Sequence, residues 1–203
     1  MPRETFYKLK DEKKQRIFYA AVQEFSKCSF SEASLNQIVK TAKIPWGSFY
    51  QYFENKEDIF SYVIETIMKK IEILEQQKFP ENVEPDALTQ FAYKLSSTVE
   101  LNNSNPEYVR IVMMNANDSS SVVKRYFELS KEHKQAVISI FEKDKHLGLI
   151  RKDIDTASVI EMVYILSKAL FSETGSDSGA YLEKMNKFLS IIRNGIKTEV
   201  LYE

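Results

Sequence analysis

Apolar residues recur at α-helical spacing along almost the whole of this 203-residue chain. Near its start, Ile17, Ala21 and Phe25 stand four residues apart, which predicts an amphipathic helix from about residue 8 to residue 27. No segment shows the strict alternation of apolar and polar residues that is typical of a strand. Five Gly and five Pro residues are too few for the many turns of a β-sandwich. The sequence therefore predicts an all-α fold.

Two short helices joined by a tight turn are predicted after that first helix. Ser34 begins a capping box, in which it accepts a hydrogen bond from an exposed N–H while Gln37 reaches back to the cap. Lys43 and Ile44 form the turn, and Pro45 opens the next helix at a position where its missing N–H costs nothing. Together the three helices are typical of a helix-turn-helix module.

Longer helices are predicted from residue 55 onward. They cover about residues 55–74, 85–100, 106–115, 119–145, 155–173 and 178–201. Polar, Pro-containing loops separate the first of these helices, and glycines provide later stops. We therefore expect a helix-turn-helix domain over residues 1–56 and a helical bundle over residues 57–203.

The charge of the chain is distributed unevenly. Residues 1–56 carry ten Lys or Arg and six Asp or Glu, whereas residues 57–203 carry 18 and 23. A basic segment on an acidic body indicates that only one end of the molecule meets a polyanion. Chance scatter of surface charge would give the same totals, so charge alone does not decide the point.

Several classes of protein are excluded by composition and spacing. No window approaches 18 uncharged apolar residues, as a membrane span requires, and the first residues lack the apolar core of a secretory signal. A lone Cys28 suits the reducing cytoplasm. One Cys and two His offer no zinc ligand set, and neither His133 nor His146 follows a Glu by three residues, as di-iron sites require. We expect no catalytic residue, no metal and no cofactor.

The functional information is concentrated in residues 33–57, ASLNQIVKTAKIPWGSFYQYFENKE, and in residues 17–25, IFYAAVQEF. These stretches resemble the DNA-binding domain of the TetR family of bacterial regulators, whose pattern includes Ile-x-x-Ala-Ala-x-x-x-Phe and Gly-x-Leu-Tyr-x-Tyr-Phe-x-x-Lys-Glu. Lys43, Pro45 and Trp46 depart from the pattern. At the position of Lys43 the family usually has Gly, and at that of Pro45 Ser is common. At the position of Trp46 a small, basic or polar residue is frequent.

The resemblance implies a set of DNA contacts from the start of the second helix to the start of the fourth. They are Ser34, Pro45, Trp46, Gly47, Ser48, Tyr50, Gln51, Tyr52 and Lys56. Hydroxyl and ammonium groups would donate to phosphates, while Trp46, Ser48 and Gln51 would face bases. Trp46 can pack on a thymine methyl group or on its own neighbours. Tyr52 can equally be a core aromatic, and Lys56 a solvated lysine.

The basic N-terminus offers a further possible contact with DNA. Arg3, Lys8 and Lys10 could reach flanking phosphates or the minor groove, although we expect a disordered tail there.

The resemblance also implies that residues from about 57 onward bind a small effector and form a dimer. Side chains suited to an apolar or aromatic effector, or simply to the core, are Phe91, Tyr108, Met113, Met114, Phe127, Tyr164 and Phe171. Polar candidates for orienting a ligand, or for capping helices and facing solvent, are Asn115, Asn117 and His133. Stripes suited to a four-helix dimer interface, or to a core within one chain, carry Ile160, Val163, Leu182, Met185, Leu189, Ile192 and Ile196.

These observations predict a cytoplasmic, ligand-responsive transcription regulator. By resemblance, we expect a repressor that binds palindromic operator DNA as a homodimer and is released by its effector. The alternative is a helical protein–protein adaptor that has lost sequence-specific DNA binding, which the modest charge of residues 1–56 leaves open.

Overall fold

The computed structural model describes residues 2–78, 85–115, 118–127, 131–175 and 177–198, without the side chains of Met113, Phe127 and residues 131–134. In these residues the regular structure is helical, apart from one isolated bridge between Ile150 and Lys197, which confirms the all-α prediction. The helices are α1 (Glu4–Tyr7), α2 (Asp11–Phe25), α3 (Leu35–Thr41), α4 (Trp46–Tyr52), α5 (Lys56–Gln76), α6 (Ala87–Ser104), α7 (Pro106–Asn115), α8 (Ser121–Phe127), α9 (Lys131–His146), α10 (Thr156–Thr174) and α11 (Ser178–Ile196). None of them is both long and apolar enough to cross a membrane.

The chain divides into two compact units. The first contains Met1–Lys70 and Ser104–Glu128, and the second contains Ile71–Asn103 and Leu129–Glu203. The first unit therefore combines the helix-turn-helix segment with α7 and α8 from later in the chain. The functional boundary at residue 56 stays a prediction about which part binds DNA.

The end of α6 differs from the sequence prediction. α6 continues to Ser104 through polar residues that we assigned to a loop, because Leu101 is buried and keeps that last turn on the core. Within the helix expected over residues 119–145 the structure describes α8 and α9, and residues 128–130 between them lie outside the described residues.

The core of the first unit consists largely of aromatic rings. Phe49 and Phe53 are fully buried, and their ring centroids lie 5.5 Å apart because a four-residue spacing places them on one side of the chain. Phe25 meets Phe60 edge to face, with centroids 4.9 Å apart. Such pairs stabilise beyond the area they bury, by about 0.5–1.5 kcal/mol each. The second pair joins α2 to α5.

The N-terminal residues form a helix, so the expectation of a disordered tail was wrong. Phe6 of α1 has no exposed surface, and its ring centroid lies 5.0 Å from that of Phe53 and 4.9 Å from that of Tyr62. The backbone N–H of Arg3 donates to the carbonyl oxygen of Tyr52 over 2.8 Å. A four-residue helix with one buried ring has no periodicity for a sequence pattern to detect.

The turn between α3 and α4 lies where it was predicted and contains a strained residue. Lys43 has a φ of +52°, in the left-handed region that favours glycine. A side chain in this conformation costs about 1–2 kcal/mol. The exposed Lys43 therefore occupies a position that requires a positive φ, which Gly adopts without strain.

Replacing Lys43 with Gly should stabilise the first unit by about 0.5–1 kcal/mol. Relief of the strain outweighs the larger entropy that Gly has in the unfolded chain. Denaturant unfolding followed by the fluorescence of Trp46, the only tryptophan, measures the change. Lys43→Ala removes the same charge but keeps Cβ, so it should stay within about 0.5 kcal/mol of wild type. Equal stability of the Gly and Ala variants would contradict the strain.

The core of the second unit is formed mainly by aliphatic side chains of α6, α9, α10 and α11. Arg193 of α11 donates to the carboxylate of Asp86 over 2.6 Å and to the Thr89 hydroxyl over 2.8 Å. This pairing ties the start of α6 to the last turns of α11.

The apolar stripes assigned to a dimer interface lie in this core. Ile160, Val163, Met185, Leu189, Ile192 and Ile196 are buried, and Leu182 packs against the cluster partly buried. α10 and α11 pack on each other within one chain, so their most apolar faces are already covered. These residues therefore form a core within one chain, which was the alternative to a dimer interface in the sequence analysis. A dimer would use other side chains of the two helices.

Candidate nucleic-acid interface

α4 presents an uncharged, partly aromatic face to solvent. Its sequence, WGSFYQY, contains no charged residue. Trp46 and Tyr50 are 41% and 45% exposed, and Gly47 and Gln51 are also exposed. On the opposite side, Phe49 has no exposed surface. The helix is therefore fixed along one side and available to a partner along the other.

The indole of Trp46 is held in place and still accessible. It stacks on Phe49 at an interplanar angle of 18°, with centroids 5.9 Å apart, and meets Tyr50 edge to face at 5.6 Å. Because Phe49 is part of the core, the indole cannot turn freely. Trp46 thus packs on its neighbours, as one of the two interpretations held, and keeps an open surface.

Gly47 is not required by packing within this chain. A Cβ added there would meet no atom within 4 Å, and its φ lies outside the left-handed region. Glycine inside a helix costs about 1 kcal/mol relative to Ala. The space beside Gly47 lies open on the exposed face next to Trp46, where another molecule can approach the backbone.

The start of α3 is capped by Ser34, as predicted, but the second half of the capping box was wrong. The Ser34 hydroxyl accepts from the backbone N–H of Gln37 over 3.4 Å. The backbone N–H of Ser34 donates to Glu24 of α2 over 2.9 Å, and the Gln37 amide donates to Thr41 instead. Glu24 occupies the place assigned to Gln37 because α2 brings a carboxylate to the cap. The Ser34 hydroxyl can still donate one bond.

Lys56 binds the loop between α2 and α3. Its ammonium donates to the carbonyl oxygens of Ser31 over 3.1 Å and of Ala33 over 3.0 Å, and it lies 4.8 Å from the centroid of the Phe30 ring. A lysine has three N–H donors. Two of those of Lys56 are therefore used to hold this loop, a role that the sequence analysis did not consider.

The same loop is held from its N–H side by residues at the end of α7. Asn115, only 1% exposed, accepts from the backbone N–H of Phe30 over 2.7 Å and donates to the carbonyl oxygen of Ile111 over 2.8 Å. Asn115 therefore anchors this loop to α7 from a buried position, a role that the sequence analysis did not consider. Sequence spacing could not reveal it, since 85 residues separate the partners.

Asp118 provides the second anchor for the loop. Its carboxylate accepts from the backbone N–H of Ser31 over 2.8 Å and from that of Ser120 over 2.9 Å. Burial by itself raises the pKa of this carboxyl, but the hydrogen bonds from Ser120 and Ser31 outweigh it and lower the pKa to about 2. Asp118 is therefore a charged acceptor throughout the physiological range.

The remaining predicted contacts of α4 differ in exposure. Tyr52 is buried, and its hydroxyl accepts from Lys13 of α2 over 2.9 Å, so it is a core aromatic with a hydroxyl used inside the unit. Pro45 is exposed and is the residue immediately before α4, and Ser48 is partly buried. The structure thus brings Trp46, Gly47, Tyr50 and Gln51 together on one face.

The second unit contains a cavity of about 360 Å³ between α6, α9 and α10. Its walls include Leu88, Phe91, Val137, Ile140, Phe141, Ile160, Val163 and Tyr164, with Glu75, Gln90, Lys94 and Ser167 as polar members. Burial raises the pKa of the Glu75 carboxyl, and the charge of Lys94 offsets part of the rise. The cavity is a mainly apolar space with a few polar groups, as is usual for a small-molecule site.

Residues 17–63, from the middle of α2 to within α5, match the family of bacterial regulatory proteins described as the tetR family. The match includes the whole helix-turn-helix and the α4 face. Residues 17–63 therefore carry the helix-turn-helix of the tetR family. This is a family of transcriptional regulators rather than of enzymes. In the part of the chain that the structure describes, no three His, Cys, Asp or Glu side chains gather in a way that could hold a metal ion.

Proteins similar to this chain are named as transcriptional regulators. YdgC of Bacillus subtilis, an uncharacterized HTH-type transcriptional regulator, is 26% identical over 157 residues, which is 74% of each chain. AcrR of Shigella flexneri, an HTH-type transcriptional regulator, is 38% identical over 72 residues, only 34% of each chain.

A solved structure shares the fold over nearly the full length. FadR of Bacillus subtilis, crystallised in complex with stearoyl-CoA, superposes with a TM-score of 0.69, 19% identity, and coverage of 90% of this chain and 98% of FadR.

The residues proposed from sequence for effector binding are dispersed. Phe91 and Tyr164 line the cavity. Tyr108 is buried in the first unit, where its hydroxyl accepts from Lys70, and Met114 is exposed. Phe171 packs edge to face on Tyr181. Asn117 and the side chains of Met113, Phe127 and His133 lie outside the described residues.

The sequence analysis missed the α9 wall of the cavity. That wall consists of Ala136, Val137, Ile140 and Phe141. Three of these residues are aliphatic, whereas the residues predicted from the sequence to line an effector site were aromatic residues and methionines. The spacing of three and four between Val137, Ile140 and Phe141 was the available signal.

Proposed function

We propose that this chain is a ligand-responsive repressor of the TetR type that binds a palindromic operator as a homodimer and leaves it when a small apolar or aromatic effector binds. The observation that carries the proposal is the exposed face of α4, with Trp46, Gly47, Tyr50 and Gln51 on a helix anchored by Phe49. A helix supported in this way can read the edges of bases in a major groove. The basic charge of residues 1–56 suits the phosphates around it.

The cavity of the second unit supports the effector part of the proposal. A volume of about 360 Å³ lies in the range of small-molecule sites, which starts at roughly 300 Å³. Apolar walls with Phe91 and Tyr164 favour an apolar or aromatic compound, and Gln90, Lys94 and Ser167 can orient its polar end. The stearoyl-CoA complex of FadR is a precedent for an apolar ligand on this fold.

Homodimer formation is supported by apolar side chains on the outer faces of α10 and α11. Met162, Ile165 and Ile191 are 42%, 57% and 67% exposed. In a symmetric dimer the same patch of the partner would cover them, and two helix pairs would form a four-helix bundle. Such a dimer would present two copies of α4 to successive major grooves, about 34 Å apart. Effector binding would favour a separation that no longer matches both half-sites.

Selection of the full chain against random duplexes, followed by mobility shifts, tests the proposal. We expect an enriched palindrome bound by two chains. Tyr50→Ala should weaken binding at least about tenfold, a loss of about 1.4 kcal/mol. Tyr19→Ala changes a tyrosine of similar exposure on a different helix, α2, and should leave the affinity unchanged.

The same assay tests the effector cavity once an operator is known. Compounds that release the wild-type protein should fail to release Val137→Trp, whose larger side chain fills the cavity, while both proteins bind the operator equally. If selection enriches no sequence, the regulator proposal is wrong and the adaptor alternative is supported.

A further inference from the structure

The exposed face of α4 lacks the side chains that most often identify a base pair. Arg or Lys bonded to guanine is the commonest specific contact in the major groove, and α4 contains neither. The exposed side chains that it offers are the indole of Trp46, the phenol of Tyr50 and the amide of Gln51. An amide can pair with adenine, whereas a ring has apolar surface to offer.

An indole can distinguish bases through one apolar group of the major groove. Only the thymine base carries a 5-methyl group there, and apolar side chains read thymine through it. Trp46 is suited to this contact because its stacking on Phe49 and its edge contact with Tyr50 hold the ring before DNA arrives. A side chain that is already ordered loses little rotamer entropy on binding.

Gly47 provides the room that such a contact needs. It follows Trp46 on the exposed face, and the position its Cβ would occupy is open. Since no atom of this chain fills that space, a base edge can approach the helix closely enough for the indole to cover a methyl group.

We propose that α4 recognises its operator through thymine 5-methyl groups and that Trp46 is the residue that determines this specificity. The proposal rests on the proposed function, because it requires duplex DNA on the α4 face. The ligand is an operator half-site that contains A·T pairs. The methyl group of a thymine in this half-site faces Trp46, and the Gln51 amide can pair with an adenine nearby.

Replacement of thymine by deoxyuridine in a selected operator tests the proposal. This change removes the methyl group and leaves every hydrogen-bonding group of the base in place. At the contacted position we expect about fourfold weaker binding per half-site, the equivalent of about 0.8 kcal/mol for one buried carbon group, and about 16-fold when both half-sites are changed. Thymines elsewhere in the operator should show no such effect.

The variant Trp46→Ala tests whether Trp46 is the residue that contacts the methyl group. It should bind the thymine and deoxyuridine operators with equal affinity, and Trp46→Phe should retain part of the preference. Gln51→Ala is the matched control on the same face, and it should weaken both complexes without changing their ratio. Circular dichroism verifies that each variant is folded.

The possible failures are distinguishable. If wild type selects an operator but discriminates thymine from deoxyuridine at no position, methyl recognition is overturned while the regulator function stands. The same holds if folded Trp46→Ala keeps the full preference. If wild type selects no operator, the regulator function fails and methyl recognition fails with it.

Discussion

Replacement of Phe6 by Ala should lower the free energy of unfolding of the first unit by about 3–5 kcal/mol. Phe6 has no exposed surface and contacts the rings of Tyr52, Phe53 and Tyr62, whose centroids lie 4.9–6.3 Å away. These rings are fixed by other partners, so they cannot move far to fill the cavity. A domain is stable by about 5–15 kcal/mol, so the variant would lose a large part of its stability.

Guanidinium unfolding followed by Trp46 fluorescence measures this loss within the first unit, since α4 carries the only tryptophan. The control is Tyr7→Ala, which removes a neighbouring ring that is 53% exposed and should cost less than about 1 kcal/mol. A Phe6→Ala variant within about 1 kcal/mol of wild type would show that α1 is not part of the core. The loss should also affect DNA binding, because α1 supports the end of α4.

Replacement of Lys56 by Ala should destabilise the first unit by about 2 kcal/mol and leave the number of phosphate contacts unchanged. The variant loses two charge-assisted hydrogen bonds to Ser31 and Ala33 and the contact with the Phe30 ring. Hydrogen bonds to a charged group contribute about 1.5–3 kcal/mol, and partial exposure of Lys56 lets water replace part of that.

The salt dependence of operator binding separates this role from a phosphate contact. Each phosphate neutralised contributes about 0.9 to the slope of log affinity against log salt concentration. We expect Lys56→Ala to keep the wild-type slope while its unfolding midpoint falls. Lys40→Ala, an exposed lysine of α3, should leave the stability within about 0.5 kcal/mol. A slope reduced by about 0.9 with unchanged stability would assign Lys56 to the phosphates instead.

The parts of the fold that the sequence predicted depend on neighbours along the chain. Helical periodicity located α2, and the turn at Lys43 followed from the residues around it. Ser34 was identified as a cap because its acceptor and the N–H of Gln37 are three residues apart. In each case the interacting groups are within one or two helical turns, so their spacing appears directly in the sequence.

The errors concern partners that are distant along the chain. The apolar stripes of α10 and α11 were recognisable, but a stripe does not reveal whether it faces its own chain or a second copy. The cavity was found only in part, because its α9 wall is defined by where α9 packs and not by residue type.

Local spacing and residue type along the chain were enough to predict the helical class, the helix-turn-helix and the resemblance of residues 17–57 to the TetR family. Three features became visible only in three dimensions: Phe6 belongs to the core, Lys56 and Asn115 hold the same loop, and Trp46 packs on Phe49 while it stays exposed. The contacts of Lys56 and Asn115 join residues that are 23 and 85 positions apart along the chain. Trp46 packs on a core ring and is at the same time exposed. Such contacts arise from packing in three dimensions, which periodicity does not encode.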